Sequence, residues 1–209
     1  PPFYTLSRYA DVEYALRDIE TFSSHFGQGP RFTEPAGMLS DPPQHTQYRK
    51  LIQRAFMPKA VAALRPQVVP LASRLVDDIL AGNREFDLHD DLAFPLPVII
   101  IAGMLGVPSE DLEDFKRWSD MQVELMGSED PSQYVDEQTR FQAYMHAHMM
   151  SRRSLIESDA EVPEDLLTLV AGAKTDTGEY IPDGDALSML NQLLVGGNET
   201  TTSLITNMV

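Results

Sequence analysis

Two glycines, an acid and a threonine stand together near the carboxyl end of the 209-residue chain, in the stretch QLLVGGNETTTSLI. A glycine inside a helix costs about 1 kcal/mol relative to alanine, so the pair Gly196 and Gly197 needs a reason. Bare backbone there would let a flat or bulky group approach, and the Thr hydroxyls could bond back to carbonyls and widen the helix into a groove. Glu199 and Thr200 would then place an acid and a hydroxyl at that groove, as proton delivery to a bound small molecule requires. The alternative is a plain helix crossing at the glycines, with Glu199 exposed or capped.

A second segment, DPPQHTQYRKLIQRAF, could bind an anion. Helical spacing places His45 and Arg49 four residues apart on one face, while Lys50 and Arg54 share a neighbouring face. Two hydrogen-bonding or cationic groups at that spacing form a fork that suits a carboxylate or a phosphate. The alternative is a surface pair that its neighbours already satisfy.

Charge is unevenly distributed along the chain. Sixteen Lys and Arg against 32 Asp and Glu give a formal net charge of −16, which argues against nucleic acid as the main partner. Between Pro42 and Val76, however, there is no acidic residue but there are six basic ones: Arg49, Lys50, Arg54, Lys59, Arg65 and Arg74. This stretch is either a solvated helix face or a docking site for an anionic group or an acidic protein.

The apolar spacing predicts a mainly α fold with little strand. We expect an extended piece at 3–7, a loop at 27–37, and helices at 10–17, 45–57, 59–80, 92–105, 109–126, 135–158, 163–173 and from 183 to the end. Pro66 and Pro70 should kink or split the third of these helices, Gly106 should end the fourth, and Ser109 should cap the fifth. The string Glu137 to Arg140 is expected to be a surface ion pair.

The apolar runs and the lack of Cys exclude two classes of protein, and the ends of the chain suggest its place in a longer one. The longest apolar run, residues 98–102, is too short to cross a bilayer, so no membrane association is expected. The chain contains no Cys, which excludes disulfides, zinc–thiolate sites and Cys nucleophiles within these residues. The first residue is Pro1 and the last lies in an apolar run, so we expect an interior piece of a longer protein.

Together, these segments resemble the cytochrome P450 family, the haem-thiolate monooxygenases, and in particular its soluble bacterial members. DPPQHTQYRKLIQRAF is similar to the helix after the family's substrate-covering loop. LLVGGNETTTSLI is similar to the long central helix, whose pattern is Ala or Gly, Gly, any residue, acid, Thr, Thr. Further matches follow in the family's order and cover nearly the whole chain: SRYADVEYALRD with TFSS, FMPKAV, and FPLPVIIIAGMLGVPSEDLEDFKRWSD.

The resemblance implies an α-rich cytochrome P450 fold with minor β structure, incomplete in this chain. Residues 1–209 would be part of a single P450 domain that ends within the central helix and lacks the N-terminal segment and the C-terminal half. The Cys that ligates the iron belongs to that later half, so no metal ligand is expected among these residues. The 209 residues alone are expected to be inactive.

The resemblance also assigns roles to residues. His45 and Arg49 match the pair that holds a haem propionate, and Gly196 and Gly197 match the place where the central helix lies against the haem. Catalytic roles in proton delivery fall to the conserved acid and alcohol, Glu199 and Thr200. Candidate substrate contacts come from the region 29–39, from 121–134 and from the central helix, with Met38, Gln192 and Val195 as the named positions.

The basic stretch coincides with the face on which family members receive electrons, which implies Lys50, Arg54 and Lys59 as contacts for an acidic, ferredoxin-type donor. The implied cofactor is heme b, with O2 as co-substrate and NAD(P)H as the indirect electron source. The implied activity is insertion of one oxygen atom into a hydrophobic small molecule, in the cytoplasm. The alternative is a non-catalytic all-α ligand-binding or interaction module that retains the fold.

Overall fold

In the computed structural model, residues 4–27, 35–82 and 85–208 are described. Nine α-helices occur in these ranges: α1 Tyr9–Arg17, α2 Gln44–Gln53, α3 Pro58–Ala63, α4 Arg65–Ala81, α5 Pro95–Leu105, α6 Leu112–Gly127, α7 Val135–Glu157, α8 Leu166–Ala171 and α9 Asp183–Thr206. Single 3-10 turns lie at Ser24–Phe26, Gly37–Leu39, Arg54–Phe56, Ser109–Asp111 and Pro131–Tyr134. In the same ranges, β structure is limited to an antiparallel bridge between Lys174 and Tyr180. The predicted mainly α fold is confirmed.

The last helix, α9, lies at the centre of the core and packs against α5, α6, α7 and α8. Its apolar residues recur every three or four positions, so one face of the helix is buried: Ala186, Met189, Leu190, Leu193 and Leu194. Helix α5 is apolar on all sides, as expected for a helix inside the core, and buries Val98, Ile101, Ala102 and Leu105. These two central helices form the floor on which the candidate site is built.

The proline and glycine positions explain where several helices begin and end. The helix predicted at 59–80 is split into α3 and α4, and Leu64 separates the two. Pro66 lies in the first turn of α4, where its missing N–H is not needed, whereas Pro70 is accommodated inside the helix. Gly106 ends α5 as predicted, with a left-handed φ of 78° that residues other than glycine rarely adopt.

Three predicted boundaries are wrong for local reasons. Ser109 does not cap α6, because it lies in the preceding 3-10 turn and its hydroxyl contacts the Glu110 carboxylate at 3.4 Å. Helix α8 begins at Leu166 instead of residue 163, because the Asp165 carboxylate accepts a hydrogen bond from the Thr168 amide at 2.6 Å. One π-helical turn at His89–Ala93 precedes α5, which therefore starts later than predicted.

The remaining expectations concern the amino-terminal part. Residues 4–7 are not helical and form no strand, and Phe3 lies outside the described residues, as do 28–34 of the predicted loop. Helix α1 forms as predicted but buries none of its side chains.

Among the helices of the described ranges, none combines the length and the apolar character of a membrane span.

Candidate functional site

A pocket of about 550 Å³ lies between α2, the 3-10 turn Gly37–Leu39, α5 and α9. All four residues predicted to contact the cofactor line it: His45 and Arg49 from α2, and Gly196 and Gly197 from α9. The predicted substrate positions Met38 and Gln192 line it too, together with Thr46, Lys50, Ile52, Gln53, Phe56, Ile101 and Leu193. The two separate motifs of the sequence thus meet in one cavity.

The wall formed by α2 carries two hydrogen-bond donors. His45 is half-buried, and its Nδ1 lies 2.7 Å from the Met38 carbonyl oxygen. A carbonyl can only accept, so Nδ1 carries a proton, and Nε2 is the ring nitrogen left for the pocket: it accepts in the neutral ring and donates in the doubly protonated ring. Arg49 is exposed, and its guanidinium makes no ion pair or hydrogen bond with the described residues. This wall therefore offers an uncompensated cation next to an imidazole.

The wall formed by α9 carries the glycine pair, and the two glycines differ. A Cβ placed on Gly196 would meet nothing within 4 Å, whereas one on Gly197 would lie 2.9 Å from Ile101 Cγ1. Gly197 therefore allows α9 to cross α5 closely, which is the alternative that the sequence left open. Gly196, in contrast, presents bare backbone at the pocket.

The predicted widening of α9 is wrong. The helix is α-helical without interruption from Asp183 to Thr206. The Thr200 hydroxyl does bond back, donating to the Gly196 carbonyl at 2.8 Å. A carbonyl has two lone pairs and can accept from a hydroxyl as well as from the helical amide, so the ladder persists. The groove comes from the gap between α9 and α2.

Glu199 and Thr200 lie one turn beyond the pocket and do not line it. Thr200 is exposed, and half-buried Glu199 accepts a hydrogen bond from the Ser203 hydroxyl at 3.2 Å. Val195 is half-buried on α9 and is also absent from the lining. The two predicted catalytic residues are therefore near the pocket but not on its surface.

Sequence reasoning missed the residue that anchors this part of α9. Asn198 is fully buried, and its Nδ2 donates to the Ser119 hydroxyl on α6 at 2.7 Å. Thr202, one turn later, lies 3.0 Å from Asn198 Oδ1 and 3.1 Å from the Ala93 carbonyl. Helical spacing from Leu194 places Asn198 and Thr202 on the buried face, so this role was readable from the pattern.

The turn Gly37–Leu39 is attached to α9 by its backbone. The Gly37 amide donates to Asp185 Oδ1 at 2.7 Å, and the Met38 amide donates to Gln192 Oε1 at 3.0 Å. Gly37 has φ +59°, and a Cβ there would lie 2.9 Å from Met189 Cγ. Only glycine satisfies both constraints, and its small size lets the turn lie directly on the helix.

Asp185 also ties α2 to α9. Its Oδ2 accepts a hydrogen bond from the Tyr48 hydroxyl at 2.8 Å. Burial, with a smaller contribution from the Asp185 carboxylate, raises the pKa of the Tyr48 phenol, so Tyr48 remains a donor. The helix that carries His45 and Arg49 is thus fixed against the first turn of α9.

The three predicted partner contacts are exposed but do not share one cavity. Lys50 lines the pocket described above, while Arg54 lines a separate cavity of about 720 Å³ that also contacts α5 and α8. Lys59, at the start of α3, lines neither. Across the described ranges none of the three forms an ion pair.

No protein-family model matches the chain, but individual relatives do. It is 38% identical over 205 residues to "Cytochrome P450 109" of Bacillus spizizenii, covering 97% of this chain and 49% of that protein. It is 35% identical over 210 residues to the erythromycin C-12 hydroxylase of Saccharopolyspora erythraea, covering 97% and 50%.

Solved structures agree with these relatives. Cytochrome P450 CYP109Q5 from Chondromyces apiculatus matches with a TM-score of 0.78 and 37% identity, over 97% of this chain and 50% of that one. The open form of cytochrome P450 EryK from S. erythraea matches with a TM-score of 0.74 and 33% identity, over 93% and 49%. The chain spans about half the length of the curated relatives it matches. It belongs to the cytochrome P450 family and corresponds to the N-terminal and central part of its bacterial members.

Proposed function

We propose that this chain is part of a haem-dependent monooxygenase, which inserts one oxygen atom from O2 into a hydrophobic small molecule. The observation that carries the proposal is the pocket in which His45 and uncompensated Arg49 stand opposite the bare backbone of Gly196. Relatives named as hydroxylases, and one named as an epoxidase, support the reaction class.

The pocket residues fit heme b, an apolar ring that carries two carboxylates. Arg49 suits a carboxylate, and His45 adds an Nε2–H donor when its ring carries both protons, because hydrogen bonds from charged groups bind a carboxylate strongly. Phe56, Ile101 and Leu193 supply apolar surface, and the missing side chain of Gly196 leaves room for a flat group. When bound, the haem would supply O2 activation and electron transfer. The chain has no Cys, so these residues would offer no thiolate to the iron.

Thr200 and Glu199 are proposed to deliver protons. The Thr200 hydroxyl donates to the Gly196 carbonyl, so its lone pairs are left to accept a hydrogen bond from a proton donor such as water. To donate in turn, the hydroxyl must rotate away from Gly196. Glu199, the adjacent carboxylate, is the titratable group that would exchange protons with solvent.

Substrate and electron donor are proposed from position and charge. Met38, Gln192 and Val195 would lie near the substrate, and the exposed cations Lys50, Arg54 and Lys59 would bind an acidic, ferredoxin-type protein that carries electrons from NAD(P)H. The chain would be part of one P450 domain of a cytoplasmic enzyme.

The experiment measures haem binding by the whole protein that contains this chain. After reduction and addition of CO, we expect the red-shifted Soret band of thiolate-ligated haem. Arg49→Leu should weaken haem affinity roughly ten-fold or more, because a hydrogen bond to a charged group contributes about 1.5–3 kcal/mol. Arg74→Leu, the same change at an exposed α4 residue that does not line the pocket, is the matched control.

Two results would contradict the proposal. A whole protein that binds no haem would leave the non-catalytic binding module as the better description. Equal haem affinity in Arg49→Leu and Arg74→Leu would show that Arg49 does not bind the haem.

A further inference from the structure

Three polar side chains on one face of α9 bind the backbone of residues 36–38. Asp185, Ser188 and Gln192 are spaced three and four residues apart, so they share that face. The Ser188 hydroxyl donates to the Ala36 carbonyl at 3.2 Å, alongside the Asp185 bond to Gly37 described above. Gln192 uses both ends of its amide: Oε1 accepts from the Met38 amide at 3.0 Å, and Nε2 donates to the Ala36 carbonyl at 2.9 Å.

The same short segment holds the imidazole of the pocket. Met38, whose N–H binds Gln192, offers its carbonyl to His45 Nδ1 at 2.7 Å. The Met38 N–H and the Met38 carbonyl belong to the two peptide groups on either side of the Met38 Cα. Both groups lie in a 3-10 turn, so the hydrogen bond that holds the amide also restricts the orientation of the carbonyl. A continuous path therefore runs from Gln192 through Met38 to His45.

We propose that Gln192 is a positioning residue for the anion-binding fork and acts on His45 through the backbone of Met38. By fixing the Met38 carbonyl, which accepts from Nδ1–H, Gln192 holds the His45 ring in one orientation, so that the doubly protonated ring can donate its Nε2–H to the bound anion. This inference rests on the proposed function in one respect, that the anion is a haem carboxylate. It also assigns the Gln192 amide to the turn, so the side chain contacts a substrate only through its methylene groups.

The test compares variants of the whole protein with 15N-labelled histidine. Gln192→Met keeps the length of the side chain but removes all three hydrogen bonds of the amide, two to the turn and one to the Ser188 hydroxyl. We expect His45 to change from the Nδ1-protonated tautomer to a mixture, and exchange of the Met38 amide to accelerate roughly five-fold, as loss of one hydrogen bond of about 1 kcal/mol implies. Haem affinity should fall up to about ten-fold, the lower end for losing one hydrogen bond to a charged group.

Two further variants separate positioning from packing. Gln192→Glu retains an acceptor for the Met38 amide, so it should keep the His45 tautomer and most of the haem affinity. Gln142→Leu removes an exposed glutamine on α7 that does not line the pocket, and it should change none of the three measurements.

An unchanged His45 tautomer and unchanged Met38 exchange in Gln192→Met would overturn the inference. If that variant does not fold, as circular dichroism would show, Gln192→Glu decides: a wild-type tautomer supports the inference and a mixed one refutes it. A protein that binds no haem but still shows the tautomer change would refute the proposed function and leave the positioning role standing.

Discussion

Two sets of cations differ in their ion pairs: those on α2, on the turn after it, and on α3 and α4, and those on α6 and α7. In the first region, the basic face, none of the six cations forms an ion pair within the described ranges: Arg49, Lys50, Arg54, Lys59, Arg65 and Arg74. In the second, the paired region, every cation does: Lys116, Arg117, Arg140, Arg152 and Arg153.

This difference follows the placement of the acids, since none of the 32 lies between Pro42 and Val76. In the paired region some cations bind acids three residues away on the same helix, and others join elements, as in the pair between Arg152 on α7 and Asp165 before α8. The basic face keeps its positive charge available to a molecule outside the chain. Cations of one type thus serve the fold in one region and, as we propose, binding in the other.

The largest expected effect comes from the most buried cation of the paired region. Arg153 donates to the Ala171 and Ile181 carbonyls and to Asp183, and it lies over the Tyr180 ring. Arg153→Leu leaves buried acceptors without donors, and we expect it to lower the free energy of unfolding by about 3 kcal/mol. Urea denaturation measures this value.

The matched change on the basic face is Arg74→Leu, which should alter stability by less than about 0.5 kcal/mol. If the two variants were equally stable, the division between fold-serving and binding cations would be wrong.

The second prediction concerns the basic face and an electron donor. Replacing Lys50 and Arg54 with Glu should slow reduction by an acidic ferredoxin about ten-fold at low salt and weaken its salt dependence, because long-range attraction is lost. Stopped-flow reduction gives the rate. Arg8→Glu with Lys174→Glu makes the same change in net charge elsewhere on the surface. An equal effect of both pairs would show that only net charge matters.

The third prediction follows from the acid in the Arg153 pair. The hydrogen bond from Arg153 lowers the pKa of the Asp183 carboxyl below its usual value. A carboxyl with a lowered folded-state pKa stabilises the fold above its unfolded pKa of about 4, and this contribution is lost as pH falls through the folded value. Asp183→Asn should therefore flatten the acid side of the stability curve, as thermal unfolding between pH 6 and pH 2, about the range of carboxyl titration, would reveal.

The corresponding control is Asp77→Asn on the exposed surface of α4. It should leave the acid slope as in the wild type. A parallel slope in Asp183→Asn and the wild type would mean that this carboxyl does not link protonation to folding.

The smallest effect is expected at the exposed edge of the paired region. Glu137 binds Arg140 at 3.0 Å, as the sequence predicted, and also accepts from Trp118 Nε1 at 3.1 Å. Arg140→Ala removes one exposed partner of an acid that keeps others, so we expect a loss of about 0.3 kcal/mol. A loss of more than about 1 kcal/mol in the free energy of unfolding, outside the usual range for exposed pairs, would mean that this pair stabilises the fold as the Arg153 contacts do.

What could be predicted from the sequence is what short-range spacing determines. The spacing of His45 and Arg49 on α2 and the stop at Gly106 depend on neighbours within one or two turns, and the structure has both. Helix α8 starts at Leu166 instead of residue 163 because the Asp165 carboxylate accepts a hydrogen bond from the Thr168 amide. Boundaries of this kind depend on which of several polar residues forms the cap.

The long-range contacts could not be predicted in this way. Gly197 and Ile101 are distant in sequence, and no local pattern shows that they touch. The bonds between α9 and residues 36–38 likewise depend on tertiary packing, so the sequence predicts a substrate contact at Gln192 but not the bonds of its amide to the turn. A glycine pair alone does not reveal which member faces a neighbouring helix and which faces a cavity.

The contact between Gly197 and Ile101 has a consequence for ligand selection. Ile101 lies against Gly197 and also lines the pocket, so the distance between α5 and α9 determines how far its side chain reaches into the cavity. Any added methyl group at position 197 would displace Ile101 and reshape the cavity from behind. The dimensions available to a guest molecule are therefore set partly by a helix crossing, in which Gly197 leaves room for the Ile101 side chain.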